Sequence, residues 1–492
     1  MSTDHREVRM FPASLGHNQP PRMDPKTLLS TISGHWDAEI VPQLTDYIRI
    51  PAKSPHFDAQ WEAHGHIERV TQLAHAWVKR QPVPGLVTEV VRLPGRTPLL
   101  YFEVPGRGDR TVLIYGHLDK QPEMTGWRDG YGPWDPLLLD GKLYGRGGAD
   151  DGYAVFAALC ALGALQGQGV AHSRCVGIIE TCEESGSYDL PAYLEALAPR
   201  MGQVDFVIGL DSGCGDYERL WATTSLRGLA GGVLTVQVLT EGVHSGDASG
   251  VVPSSFRVAR RLLDRLEDSE TGRLLPAEFH APIPAERTAQ AGHASQILGE
   301  LVISKYPFAG STRPMVSDPA QALLNRTWRP ALSITGADGI TPLASAGNVL
   351  RPQTSLKLSL RLPPTVDGEQ ATRVLKRVLE ADPPSGATVR FDIEEGATGW
   401  NAPPAAAWLT QALDAASSRF YDKPCVAMGE GGTIPFMAML GRHFPAAQFL
   451  ITGVLGPHSN AHGPNEFLHV PYAKKLTACV ASVIAAHAGV SL

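Results

Sequence analysis

The sequence predicts an α/β protein in which a mainly parallel central sheet, flanked by helices, is interrupted by an inserted α+β domain. Three observations lead there. Apolar runs of strand length alternate with Ala- and Leu-rich helical runs through the first half. Near residue 225 the texture changes to period-2 alternation, the pattern of half-exposed strands. Histidines and carboxylates follow directly on the ends of the predicted parallel strands, where sheets of this kind bind their ligands.

Each element has its own signal. "TVLIYG" (111–116) reads as a buried strand and "GYAVFAALCALGAL" (152–165) as a helix. "CVGIIET" (175–181) and "DFVIGL" (205–210) are further strands, with the short helix "LPAYLEALAPRM" (190–201) between them. Beyond residue 225, "GGVLTVQVLTEG" (231–242), "SLKLSLRL" (355–362) and "ATVRFDIE" (387–394) read as strands. "SSFRVARRLLDRLED" (254–268) and "GEQATRVLKRVLEA" (368–381) read as helices. "AAAWLTQALDAASSRF", the strand "AQFLIT" and a helix from about 472 then resume the first domain. The expected division is a flexible arm over 1–25, a main domain in two parts (26–225 and 397–492), and an insertion over 226–396. "RTAQAGHASQILGELVISKYPFAG" carries no clear period and is expected to be an excursion of the insertion.

Composition excludes several function classes. With 43% hydrophobic and 19% charged residues, the 492-residue chain can bury a full core. Lys plus Arg is 43 and Asp plus Glu is 50, a net charge of -7 without a basic tract, which argues against nucleic acid as a partner. Apolar stretches stop short of the ~18–20 residues of a membrane span. The opening "MSTDHREVRMFPASLGHNQPP" is polar, without the apolar core of a secretory signal. Six cysteines without a CxxC pair suit free thiols in a reducing compartment, so a cytoplasmic location is expected.

Five segments suggest chemistry: "YGHLD", "LYGRGGADDG", "ETCEESGS", "GLDSG" and "SNAHGPNE". Each sets imidazole or carboxylate groups on or beside glycine-bearing turns. In "GHLD", His117 and Asp119 are two apart and point the same way at a strand end. Zinc takes histidine nitrogen and carboxylate oxygen, and several carboxylates with two histidines suit two metals. Taken alone, Glu183–Glu184 is either a ligand beside a proton shuttle or a solvated acidic loop. Asp150–Asp151 is either a ligand pair or the cap of a helix N-terminus. His244 in "GVHSGDASG" and Arg361 in "SLKLSLRL" could each be an ordinary exposed residue.

Together, the order and spacing of "GHLD", "GRGGADD", "EESGS", "LDSG", "HSG" and "HGPNE" resemble the dinuclear-zinc metallopeptidase family. That family includes carnosine and other dipeptidases, aminoacylase, glutamate carboxypeptidase and succinyl-diaminopimelate desuccinylase. The resemblance runs from about residue 30 to the end and is nearest the cytosolic dipeptidase branch. It implies a zinc-peptidase catalytic domain whose insertion serves as lid and dimerisation domain. It implies two divalent ions per subunit, zinc first, with manganese or cobalt as alternatives. His117 and Asp211 would bind one ion, Glu184 and His462 the other, and Asp150 would bridge them. Asp119 would orient His117, Glu183 would be general base and acid, and the Asp150–Asp151 peptide would be cis. His244 would reach across a homodimer interface to stabilise the oxyanion. Arg361 would bind the substrate carboxylate. Asn348 stands where carnosine-type dipeptidases carry threonine, and Thr433 in "GEGGTIPF" replaces a serine. Both are expected substrate contacts. His458 is not a ligand in this pattern. The implied reaction is hydrolysis of dipeptides or short peptides. The alternative is deacylation of N-acyl amino acids, and a noncatalytic dimeric binding protein is disfavoured by the complete ligand set.

Overall fold

The computed structural model of the chain describes residues 23–491, so the arm expected over 1–25 lies outside the described residues up to residue 22. Its main strands are β1 (Val87–Val91), β2 (Leu99–Val104), β3 (Arg110–His117), β4 (Arg174–Glu180) and β5 (Gln203–Gly209). Next come β6 (Gly228–Gln237), β7 (Ala331–Asp338), β8 (Gln353–Leu362) and β9 (Thr388–Ile393), and finally β10 (Gln448–Ile451). The central sheet runs β1-β2-β4-β3-β5-β10. β4, β3, β5 and β10 are mutually parallel, while β2 is antiparallel to both its neighbours. The sheet is therefore mixed, with a parallel centre.

β3 shows why its sequence is continuously apolar. Val112 and Ile114 enter one core, Leu113 and Tyr115 the other, so both faces are covered. The first core also takes helices Ala154–Gly167, Ala407–Tyr421 and Val470–His487, from both ends of the main domain. His469 caps the last of these, its Nδ1 accepting the amide of Tyr472 at 3.2 Å. Gly148–Gly167 is the one stretch among the described residues long and apolar enough to cross a bilayer, and it is buried in this core.

β7-β8-β6-β9 form a wholly antiparallel sheet. Alternate residues of β8 (Leu356, Leu358, Leu360, Leu362) point into a third core. Helices Ser255–Leu263 and Gly368–Glu380 close it with Val258, Leu262, Val374 and Leu375. The segment expected to be an excursion of the insertion behaves differently. Helices Ala285–Leu298 and Pro319–Thr327 place Ala291, Ala294, Leu323 and Leu324 in the first core, beside strand Val426–Glu430. Their apolar faces are narrow, which is why the sequence period missed them.

Candidate metal centre

His117 is the last residue of β3 and is fully buried. Its amide donates to Asp151 Oδ2 at 3.3 Å. Its Nδ1 lies 3.1 Å from the carbonyl oxygen of Asp119 and 3.4 Å from Asp119 Oδ1. A carbonyl only accepts, so Nδ1 carries the proton and Nε2 is turned inward. There Nε2 has no hydrogen-bond partner and faces Asp150 Oδ1 at 3.4 Å and Asp211 Oδ2 at 3.7 Å. His462 sits on the opposite side, its Nε2 3.1 Å from Asp150 Oδ2 and 3.4 Å from Glu184 Oε2.

Two clusters result, His117–Asp150–Asp211 and Asp150–Glu184–His462, and within each the ligand atoms lie within 4.8 Å of one another. Asp150 belongs to both, one oxygen toward each imidazole. The Asp150–Asp151 peptide is cis. Buried His117 Nε2 and Glu184 Oε1 lack any partner, as lone pairs aimed at a cation would. Nitrogen and carboxylate oxygen are also the donors that divalent zinc, manganese or cobalt accept, so the residues fit the implied group.

Electrostatics agree. Burial, then the charge of Asp150, pushes Glu184 up to about 8 and Asp211 up to about 7. Burial opposes ionisation of Asp150 as well, but the adjoining imidazoles of His117 and His462 together outweigh it and hold that carboxylate low. Glu183 is buried beside Asp211, and burial first, that neighbour second, raises it well above the usual carboxylate range. It lines a cavity of about 430 Å³ with Asp150, Glu184, Asp211, Thr433 and His462.

Asp119 does more than expected. Its carbonyl makes the closest contact to His117, while its carboxylate oxygens accept the amides of Glu183 at 3.1 Å and Glu184 at 3.0 Å. It thus ties His117 to the turn that carries Glu183 and Glu184.

Other supports were not assigned from the sequence. Arg146 and Glu466 form a buried ion pair at 2.5 Å. Glu466 Oε1 also accepts the amide of Gly147 at 2.9 Å. Arg146 Nη2 donates to the carbonyls of His462 at 3.2 Å and Gly463 at 2.8 Å. This pair docks the His462 loop onto the segment that carries Asp150. Gln121 Nε2 donates to Glu184 Oε2 at 2.5 Å. Buried Lys120 donates to the carbonyls of Tyr47, Ile48 and Ile50, fixing the N-terminal helices to the "GHLD" loop. Three charged residues in or beside glycine-bearing motifs, Lys120, Arg146 and Glu466, were the available signal.

Three expected residues lie apart from the metal cluster. His244 and Asn348 are exposed and adjacent on a short ribbon, where His244 pairs with Val349 and the amide of Ser245 donates to the Asn348 carbonyl at 2.9 Å. Arg361 meets the cavity wall through Thr433, its Nη1 donating to Thr433 Oγ1 at 2.7 Å. His458 lines a neighbouring cavity of about 880 Å³, which shares Glu430 and Leu455 with the metal cavity.

Comparison with known proteins bears on the family and the fold. The family described as Peptidase family M20/M25/M40 matches residues 113–486. The chain is 28% identical over 389 residues to the cysteinylglycine-S-conjugate dipeptidase of Corynebacterium striatum, covering 74% of this chain and 79% of that one. It is 29% identical over 282 residues to the Beta-Ala-His dipeptidase of Homo sapiens, covering 55% of this chain and 53% of that one, about half its length. The structure of the di-peptidase Dug1p from Saccharomyces cerevisiae superposes with a TM-score of 0.77 at 21% identity, covering 95% of this chain and 99% of that one, a likeness of fold.

Proposed function

Starting from the fact that the chain belongs to peptidase family M20/M25/M40, we propose that it is a dipeptidase that uses two divalent metal ions and Glu183 to hydrolyse the peptide bond of dipeptides or short peptides. The observation that carries this reading is the bridging placement of Asp150 between His117 and His462, with Glu183 buried in the same cavity.

His117 and Asp211 would hold one ion, Glu184 and His462 the other, with Asp150 shared. When bound, such a pair supplies Lewis acidity and an activated water near neutral pH. The chain's own residues do the rest. Glu183, held by its amide on Asp119, takes the proton of the attacking water and returns it to the departing amine. Arg361 and Thr433 anchor the substrate carboxylate at the far wall, which fixes the scissile bond relative to Glu183. Asn348 would add a contact to the substrate carbonyl once the insertion closes over the cavity.

Zinc is the expected ion, with manganese or cobalt as alternatives. A homodimer gives His244 a role, since its exposed ribbon can present the imidazole to the partner's oxyanion. A cytoplasmic setting agrees with six free cysteines, five of them buried.

The test is hydrolysis of a dipeptide library by zinc- or manganese-loaded protein, read by mass spectrometry beside N-acetylated copies. Cleavage of the free dipeptides alone is expected. Preferential cleavage of the N-acyl copies would move the assignment to a deacylase. Glu183→Gln should keep its metals and lose ~10²–10⁴-fold in rate. Mixing His244→Ala with Glu183→Gln protein should restore some activity; none, with subunit exchange verified, would remove the shared site.

A further inference from the structure

Three guanidinium groups surround the Glu430–Thr433 loop, the wall of the metal cavity. Arg326 lies 3.7 Å from Glu430 Oε2. Arg361 donates to Thr433. The third, Arg227, stands between strand Trp221–Leu226 and β6. Its amide donates to the Gly432 carbonyl at 3.0 Å and its Nε to the Gly431 carbonyl at 3.1 Å. A Cβ on Gly431 would sit 3.4 Å from Arg227 Nη2 and 3.0 Å from Arg326 Cγ, so both side chains lie against that glycine.

The sheet register brings Arg361 close to the link that carries Arg227. Arg361 is the ladder partner of Leu229, two residues after Arg227. Arg227 lies in the one-residue link just before β6, and a neighbour so close to the ladder is within reach of a long side chain. Burial, then the charges of Arg361 and Arg326, pushes the Arg227 guanidinium down to about 10. Among the described residues neither Arg227 nor Arg361 has a carboxylate partner, and the terminal nitrogens of Arg227 have no hydrogen-bond partner. Two like charges, partly buried and unneutralised beside a cavity, leave a place for an anion.

We propose that Arg227 is a second binding residue for the substrate's C-terminal carboxylate, completing with Arg361 and Thr433 a two-guanidinium subsite on the Gly431–Thr433 wall. This rests on the dipeptidase reading above. Nε holds the loop while the free terminal nitrogens face the ligand, so one side chain both shapes the subsite and neutralises its occupant.

The test compares a dipeptide with its C-terminal amide, using wild type, Arg227→Gln and Arg227→Lys. Arg227→Gln should lower kcat/KM for the acid by about 10–100-fold, the usual effect of a lost charged hydrogen bond, so that acid and amide converge. Arg227→Lys should recover part of the loss on the acid. Equal losses on acid and amide would assign Arg227 to holding the loop and overturn the proposal, as would no loss on the acid. Calorimetry on metal-loaded Glu183→Gln protein with a free amino acid and its amide repeats the comparison without turnover. If no dipeptide is cleaved, the dipeptidase reading falls. The subsite then stands only if Arg227→Gln weakens binding of the amino acid and spares the amide.

Discussion

Replacing Glu466 by alanine should loosen the second metal position before it unfolds the protein. The carboxylate accepts from Arg146 Nη1 at 2.5 Å and from the Gly147 amide at 2.9 Å, and both side chains are buried, at 1% and 0% exposure. Removing one partner of a buried pair costs ~3–5 kcal/mol, because the other charge is left uncompensated. Arg146 keeps the carbonyls of Pro122, His462 and Gly463, which points to the lower end of that range. Native domains carry ~5–15 kcal/mol, so the variant should still fold. The damage is local: the guanidinium that loses its carboxylate is the one that grips the His462 loop. Loss of an outer support of this kind costs ~10–100-fold in metal affinity. His117 and Asp211 do not touch the pair, so the first ion should bind as before. Metal titration in chelator-buffered solution should show two steps, with only the one at the His462 position shifted, and urea unfolding should show an earlier midpoint. Unchanged affinity at both positions would refute the reasoning. The double replacement Arg146→Met with Glu466→Leu should recover stability and leave the second affinity weak.

Asp119→Asn removes an acceptor from one of two amides and should displace Glu183, lowering kcat by ~10-fold or more with one ion still bound; wild-type kcat would overturn the tie between ligand and base. Gly116→Ala would place its Cβ 2.7 Å from Ala154 Cβ and 2.8 Å from Asp151 Oδ2. It should cost ~1–3 kcal/mol by overpacking, read as a lower denaturant midpoint, and an unchanged midpoint would count against the packing. In metal-free protein, burial raises Asp211 to about 7 and Glu184 to about 8, while burial of His462 is outweighed by its hydrogen bond to Asp150 together with the charges of Glu184, Asp150 and Glu466, which raise it to about 9. All three bind protons more tightly folded than unfolded. That stability is complete below the unfolded values and is lost as pH rises through the folded ones. The Tm of metal-free protein should therefore fall between about pH 4 and pH 9, and that of metal-loaded protein should change less; a flat metal-free profile would sink the argument.

Much of the main domain was legible because its signals are local. β3, β4 and β5 are continuous apolar runs ending in glycine-bearing turns, and the candidate ligands lie at or within a few residues of those ends. β8 was readable from strict alternation. Arg146 and Glu466 were not assigned because each stands 320 residues from the partner that explains it. Helix Ala285–Leu298 escaped because only Arg287, Ala291 and Ala294 are buried, too few to mark a face by period. Its small residues match strand Val426–Glu430, which neither propensity nor spacing near residue 290 could indicate.

The first core spans the chain. Trp36 Nε1 donates to Thr477 Oγ1 at 3.1 Å, and helix Val470–His487 fills the same interior as Leu28 and Ile32. During synthesis the apolar surface of the first 225 residues must therefore wait for that helix, roughly 10–50 s at ~5–20 residues per second. The β6–β9 sheet has a core of its own, made within a shorter stretch, and can mature in the interval. The nascent enzyme should thus need chaperone protection most while its insertion is already folded and its metal ligands are still unassembled. His462 lies beyond the insertion from His117 and Asp150, so metal capture at the second position would report that the two parts of the main domain have come together.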